Sequence, residues 1–419
     1  MKNTINIRQL IFYSILSLPL SFIGLPLYIH LPKFYAEYYG ISLTVIGNIL
    51  LLLRIFDAFL DPMLGHFSDK YQLGKRKYLL TAALMISISF NALFWLPDYF
   101  YKFSPSLWFA FFTSLTYFFY SFININFYAL GINLTDDYQE RTKISAYREA
   151  AALFGVLLAA ILPSLLLGYF SESVSFQIYG LIFALMIIVA ILVLPKIENT
   201  NYKKEKSGFK ELLILIKKRK EIFWLYILFF VNSLPVAITS TLFLYYVEHV
   251  LKLQSASGLL LALYFFSAAL STPCWSYLGK YLSKKNSLIF ALVISLLSFT
   301  GCYFLNQHNN SLFYLICFLS GIGLGGEMVI FPSILADKLA EQKQLANSSF
   351  GIWQALSKIS LGVAAGLVLP LLSFYGFQPN LTNTAHTLEI LIICYSVLPL
   401  VIKFVWLTIL ILSPIDRKV

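Results

Sequence analysis

The chain has 419 residues, of which 59 % are hydrophobic and 12 % charged, with a formal net charge of +11. A soluble domain carries about 25 % charged residues, so a chain of this makeup could not cover a water-facing surface. Apolar runs of roughly 20 residues, each long enough to cross about 30 Å of hydrocarbon, recur along its whole length. The positive charge needs no nucleic-acid partner, because basic loops facing anionic lipid account for it.

Twelve apolar segments separated by polar breaks are predicted as helices. They centre near Leu20, Leu50, Met85, Leu115, Leu157, Met186, Leu228, Tyr264, Val293, Phe318, Ala364 and Leu400. The predicted fold class is therefore an all-α membrane protein of twelve transmembrane helices. An even count puts both termini on one side. Lys2, Arg8, the Lys70–Lys77 loop, Arg141, Lys143, the Lys196–Lys220 loop, Lys280, Lys284, Lys285, Lys338, Lys343, Arg417 and Lys418 fall in one set of loops. Only Lys33, Lys102 and Lys252 fall in the other. Under the positive-inside rule the first set, with both termini, is expected to be cytoplasmic.

In the first segment, Met1–Arg8 is mildly basic, but no short apolar region with a small-residue cleavage site follows, so a retained helix is expected. Pro19, Pro26 and Pro32 suggest kinks near a central cavity. The second helix reads Arg54-Ile55-Phe56-Asp57-Ala58-Phe59-Leu60-Asp61-Pro62-Met63-Leu64-Gly65. A charge near the bilayer centre costs roughly 2.5–3.5 kcal/mol even on the lenient insertion scale. Asp57 and Asp61 project within about 40° of one another, one turn apart. Two carboxylates that close repel unless a cation or a proton sits between them. Arg54, one turn before Asp57, could neutralise one of them; an Arg–Asp tie between helices leaves the other unexplained. The pair also superficially matches an Mg²⁺-diphosphate motif of a polytopic prenyltransferase. That chemistry needs a second Asp-rich motif, for which Asp136-Asp137 is the only candidate, and no enzyme is expected.

The loop after this helix, Gly65-His66-Phe67-Ser68-Asp69 followed by Lys75-Arg76-Lys77, resembles the hallmark loop of the major facilitator superfamily. The second helix itself resembles that of the glycoside–pentoside–hexuronide:cation symporters, the melibiose-permease family. The resemblance runs through the first five helices and returns more faintly around Lys358. It implies two six-helix halves and cation-coupled symport, with H⁺ or Na⁺, of a small polar solute such as a sugar or glycoside by alternating access. Asp57 and Asp61 would form the cation site. Ser121 stands where the family has a Thr, Asn124 lies beside it, and Leu60 replaces an Asn. Losing an oxygen ligand weakens the case for Na⁺, which needs several hard oxygens; a proton needs only a perturbed carboxylate.

On the substrate side the family's two acids correspond to Ser21 and Asn124, and its Trp to Tyr128. Arg148 in the fifth helix and Lys358 in the eleventh are retained. Two buried cations without the paired acids favour an anionic or zwitterionic substrate group. Arg148 could instead pair with Glu149 or with the Asp136–Glu140 loop as a gate. Arg54, Gly65, Asp69, Arg76, Asp136 and Asp337 are the expected gating residues, with Asp69 engaging the basic cluster or a helix terminus. Because relatives of this family include lipid carriers, a lipid or lysolipid translocator of the same fold is the alternative.

The longest polar break divides the chain into halves 1–195 and 222–419 joined by a cytoplasmic linker, 196–221. Glu198–Lys206 is charged, whereas Phe209–Lys220 places Phe209, Leu212, Leu213 and Ile216 on one face, as in a helix lying in the membrane interface. Ser17-Leu18-Pro19 recurs as Ser233-Leu234-Pro235, and Leu134-Thr135-Asp136 as Leu335-Ala336-Asp337. The basic loop after Gly65 has a worn counterpart at Tyr277–Lys285. Three matches in order at one shift indicate an internal duplication. Glu327, deep in the tenth helix after Gly321, Gly323, Gly325 and Gly326, is expected either to serve as a substrate or proton ligand or to pair with Lys358. Lys403 is expected to snorkel to the surface. His30, His66, His249 and the four cysteines suggest no site. No cofactor is expected beyond the coupling ion, and no metal beyond Na⁺ at Asp57 and Asp61. The expected partners are the bilayer and a small-molecule substrate, with the protein a monomer in a bacterial inner membrane.

Overall fold

A computed structural model describes residues 5–24, 27, 31–95, 104–194, 209–378 and 383–415. Lys2, Pro26, His30, Lys102, Lys196, Glu198–Lys206, Arg417 and Lys418 lie outside the described residues. Among the described residues every regular element is a helix. In chain order these are α1 (Ile7–Ser14), α2 (Ser17–Phe22), α3 (Leu31–Tyr39), α4 (Leu43–Tyr71), α5 (Arg76–Ala92), α6 (Pro105–Asn133), α7 (Tyr138–Leu167) and α8 (Glu172–Val193). They continue with α9 (Phe209–Lys218), α10 (Lys220–Tyr245), α11 (Ser257–Tyr281), α12 (Lys284–Thr300), α13 (Leu312–Lys338), α14 (Ala346–Phe374), α15 (Ala385–Ile392) and α16 (Leu398–Leu412). Among the described residues nine helical segments are long and apolar enough to cross a membrane. All twelve predicted segment centres fall in helices.

Local chemistry explains several boundaries. Side-chain oxygens of Ser42, Ser104, Asp137, Ser283 and Thr384 accept first-turn N–H groups, satisfying donors that have no partner inside the helix. Pro19 has no N–H for the Ile15 carbonyl, and the break between α1 and α2 falls at Ile15 and Leu16. At the far end of α4, Gln72 adopts a left-handed conformation (φ 51°), and Leu73 N–H donates to the Ser68 carbonyl at 3.0 Å. That cap fixes Ser68 and Asp69 at a defined helix end. The stretch expected to be helical after the charged part of the linker forms α9. Arg219, at φ −103° and ψ 89°, separates it from α10.

The chain forms two compact units, 1–215 with 339–355, and 216–338 with 356–419. The first boundary thus falls inside the expected linker, and a short stretch of the second half belongs to the first unit. The core of the first unit is aromatic. Phe34 meets Tyr35, Tyr39, Phe94 and Phe176 edge-on, and Phe22 stacks on Tyr179 at 4.2 Å. Three of its buried tyrosines spend their hydroxyls on backbone carbonyls: Tyr13 on Phe127, Tyr35 on Leu93 and Tyr179 on Phe22, at 2.6–2.9 Å. A buried phenol without such an acceptor would be costly.

In the second unit α13 packs against α11 and α12. A side chain at Gly325 would run into the Ser271 hydroxyl and the Ala268 carbonyl of α11. Gly325→Val is expected to cost about 1–3 kcal/mol through overpacking. Gly362, beside open space, accepts Ala without loss. Thermal unfolding of the two purified variants checks the contrast, and a Gly325→Val midpoint equal to wild type would refute the close packing. In the same unit, π turns at Tyr246–Val250 and Ile393–Val397 stack Tyr246 on Tyr395 at 4.1 Å.

Candidate functional site

The outward face of α4 carries Leu51, Leu52, Ile55, Phe56, Phe59 and Met63, all exposed, as suits contact with lipid tails. Its opposite face buries Asp57, 7 % exposed, and Asp61, fully buried. The one-turn spacing read from the sequence places both acids in the interior of the first unit. Ser121 of α6 donates its hydroxyl to Asp57 Oδ1 at 3.0 Å. Asn124, one turn along α6, is also buried, and Arg54 is half-buried on α4. Two carboxylates and a hydroxyl buried together have the chemistry to hold a proton or a small hard cation.

At the end of α4, Asp69 accepts from Asn347 N–H at 3.0 Å, Asn347 Nδ2 at 2.9 Å, Ser348 N–H at 2.7 Å and the Ser348 hydroxyl. Asn347 and Ser348 are the second and third residues of α14, so Asp69 caps that helix from outside its own chain segment. Gly65 makes room for this contact: a Cβ there would strike the Asn347 carbonyl. Nearby, Lys343 Nζ meets Asp136 at 2.6 Å. The Lys343 hydrogen bond, helped by the charges of Lys343 and Arg141, holds the Asp136 carboxyl below its usual range despite an opposing desolvation penalty. Asp137 caps α7 through Gln139 and Glu140 N–H. Both members of the only second Asp-rich candidate are therefore used structurally. Arg76 donates to the Leu192 carbonyl, tying α5 to α8. Asp337 pairs with Lys284 of α12 at 2.6 Å in the second unit.

Arg148 is buried in the first unit. Its Nε meets Glu149 Oε1 at 2.9 Å, and its guanidinium lies 3.7 Å from the centre of the Tyr128 ring. Tyr128 donates its hydroxyl to the same Glu149 oxygen at 3.2 Å. Of the two pairings open to Arg148, the structure takes Glu149; Glu140 pairs with Lys143 instead. Arg148 Nη2 is buried without a hydrogen-bond partner. Ser21 of α2 is half-buried, and Lys358, also half-buried, belongs to the second unit.

Two expectations are corrected in the second unit. Glu327 pairs with Lys403, Nζ to Oε1 at 2.6 Å, where the sequence suggested Lys358. Lys403 accordingly does not snorkel: it is only 14 % exposed and points to the carboxylate, whose attraction in a dry interior outweighs the reach to water. Asn232 Nδ2 donates to Glu327 Oε2 at 2.8 Å, and Ser295 Oγ lies 3.4 Å from Oε1. Sequence reasoning missed Asn232, Ser295, Lys343 and the Asn347–Ser348 cap. It also missed Asn126 of α6, which donates to Ser68 at 3.0 Å. Lys403 could have been found, because an ammonium inside an apolar helix calls for an acid at the same depth.

Residues 12–417 match the family described as MFS/sugar transport protein. The chain is 25 % identical over 390 residues to an uncharacterized symporter, YnaJ, of Bacillus subtilis, covering 87 % of this chain and 82 % of that protein. It is 23 % identical to the isoprimeverose transporter of Lactiplantibacillus pentosus, over 89 % of this chain and 81 % of that one. It is also 20 % identical to a sodium-dependent lysophosphatidylcholine symporter of Xenopus tropicalis, over the whole of this chain and 89 % of that one. Among solved structures, a bacterial homologue of the iron transporter ferroportin superposes with a TM-score of 0.70 at 17 % identity, covering 96 % of this chain and 99 % of that one. The major facilitator transporter FucP gives 0.71 at 13 % identity, covering 96 % and 98 %. The acid pair on α4, the all-helical fold and the match across nearly the whole length agree: the chain belongs to the MFS/sugar transport protein family, as a multi-pass membrane transporter of the major facilitator fold and not an enzyme.

Proposed function

We propose that this protein is a cation-coupled symporter of a small polar solute, sugar- or glycoside-like, working by alternating access. The observation that carries the reading is the buried pair Asp57 and Asp61, with Ser121 donating to Asp57 inside the first unit. A coupling ion must bind two conformations unequally, and a buried carboxylate pair is strongly sensitive to the water and charge around it. Leu60 contributes no oxygen beside the pair, which favours H⁺ over Na⁺ as the driver. Arg148, with Nη2 unsatisfied and the Tyr128 ring against its face, is suited to an anionic substrate group such as a carboxylate or phosphate. Uptake into proteoliposomes of a panel of glycosides, pentosides and glucuronides, under a pH gradient with and without Na⁺, tests this. Gradient-driven accumulation of one of them is expected; failure of the whole panel to accumulate would count against it.

The relatives named for lysophosphatidylcholine and sphingosine-1-phosphate favour a second reading, translocation of a single-chain lipid whose headgroup carries a phosphate. Arg148 would serve its headgroup equally well. Including lysophosphatidylcholine and sphingosine-1-phosphate in the same panel separates the readings by which substrate competes.

The proposed location is a bacterial inner membrane with both termini and the 196–221 linker cytoplasmic, supported by the asymmetry of basic loop residues. Reporter fusions after Val419 and near Asn201 should both read cytoplasmic. A periplasmic signal at either would overturn the topology.

A further inference from the structure

Glu327 lies outside the proposed cation site, in the other unit. It is 4 % exposed and is held by groups from three helices: Lys403 of α16, Asn232 of α10 and Ser295 of α12. From α11, Tyr264 lies close enough to interact electrostatically with the carboxylate. The shell is therefore one acid, one ammonium, one phenol, one amide and one hydroxyl. One turn along, a second layer joins α10, α13 and α16 again, in apolar form. There Trp406 Nε1 donates to the Leu228 carbonyl at 2.6 Å, and its ring lies 5.7 Å from that of Phe331. Lys403 and Trp406, Glu327 and Phe331, and Leu228 and Asn232 are each three or four residues apart, so each pair shares a helix face.

As a fastener this ion pair is a poor choice. Desolvating two ions costs several kcal/mol apiece, and apolar residues of like volume usually hold helices as well or better. Asn232 adds a second observation. Its amide donates to Glu327, while its Oδ1 is buried, with no hydrogen-bond partner, in a residue 5 % exposed. A primary amide is a neutral group that can serve both forms of a carboxyl. Its NH₂ donates to the anion, and after a half-turn its oxygen accepts from the acid. The partner helix has a place to move as well. The π turn Ile393–Val397 ends immediately before α16, and π turns inside helices frequently mark functional sites.

We propose that Glu327 is a proton-binding site of the second unit, with Lys403 as its built-in counter-ion and the Asn232 amide as the group that accommodates both protonation states. In the described conformation the pair is closed, with the Lys403 ammonium 2.6 Å from the Glu327 carboxylate. When α16 shifts and withdraws the Lys403 ammonium, the buried carboxylate is left without its counter-ion and takes a proton from water. Asn232 Oδ1 then accepts the new O–H. Lys403 keeps its own proton throughout, so the net change is one proton taken up. The two conformations thus differ in proton affinity, and by linkage the proton biases which one is populated. This proposal goes beyond cation coupling at Asp57 and Asp61 and does not depend on it.

Trp406 supplies an internal reporter on the same face of α16 as Lys403. Its emission, taken as the difference between the purified protein and its Trp406→Phe variant, is measured as a function of pH. In the wild type this difference is expected to titrate as one site. In Glu327→Gln, which mimics the protonated acid, it should stay at its acid-limb value at every pH. Lys403→Met should do the same, because the unpaired Glu327 remains protonated. Asp57→Asn with Asp61→Asn should keep the titration, which separates failure of this proposal from failure of the coupling site. If Glu327→Gln does not fold, the uncharged pair Glu327→Gln with Lys403→Gln takes its place and should likewise be insensitive to pH. A wild-type difference that does not vary with pH, or one that titrates unchanged without Glu327, overturns the proposal.

Discussion

Asp57→Asn or Asp61→Asn is expected to abolish uphill accumulation in proteoliposomes while leaving exchange and downhill flux measurable. With one proton per substrate, a gradient of one pH unit supports about tenfold accumulation, since one unit is worth about 1.4 kcal/mol. In either variant the ratio should collapse to about one. The reason is linkage: the ion drives transport only through its differential affinity for two conformations. An amide has nearly the shape of the carboxylate but cannot bind a proton or balance a cation. In Asp57→Asn the Ser121 hydroxyl would still find the amide oxygen, so the helix contact seen at 3.0 Å survives and the loss is specific to coupling. Ser121→Ala leaves both acids in place and should weaken coupling without eliminating it. Na⁺-driven accumulation at constant pH in the wild type would show that sodium, not the proton, occupies the pair. Undiminished accumulation in the double Asn variant would falsify the coupling role.

How far the sequence led can be judged from α4 and α13. On α4 the periodicity alone set Asp57 and Asp61 on one buried face, because a single helix fixes its own side-chain directions. The helical class and the twelve segments were legible for a similar reason: apolar length in a membrane is a local property. Glu327 was a different case. Its depth could be read from the surrounding run, but its partner could not. Lys358 and Lys403 lie in different helices, and which of them reaches the acid depends on packing between α10, α12, α13 and α16. The repeats misled in one respect as well. Ser17-Leu18-Pro19 follows a broken helix, yet Ser233-Leu234-Pro235 sits within the continuous α10. A shared tripeptide does not by itself dictate local conformation. Asn347 and Ser348 carry no signal at all in the sequence; they matter only because their backbone N–H groups start a helix at the place where α4 ends.

Removing the Asp69 carboxylate is expected to loosen the start of α14 from the rest of the first unit. Four donors converge on this one side chain, two of them backbone N–H groups in the first turn of a helix. Charge-assisted bonds of this kind are worth about 1.5–3 kcal/mol each, and an N-cap about 0.5–2 kcal/mol, without simple additivity. A net loss of about 2–3 kcal/mol for Asp69→Ala is a conservative expectation, or roughly 30- to 150-fold in the opening equilibrium. Hydrogen–deuterium exchange of the peptide spanning residues 346–355 reads that opening directly, and the Asn347 and Ser348 amides should accelerate by that factor. Asp69→Asn keeps one acceptor oxygen and should fall between Ala and wild type. Lys343→Met provides the contrast. It breaks a pair whose Asp136 side chain is 85 % exposed, and such pairs are worth about 0–1 kcal/mol, so exchange should rise by no more than about fivefold. In transport terms the same loss should favour the conformation in which this segment is released, seen as altered cysteine labelling from the two sides of the membrane. Equal exchange in Asp69→Ala and wild type would reduce Asp69 to a surface charge, and an effect of Lys343→Met as large as that of Asp69→Ala would move the latch to Asp136 and Lys343.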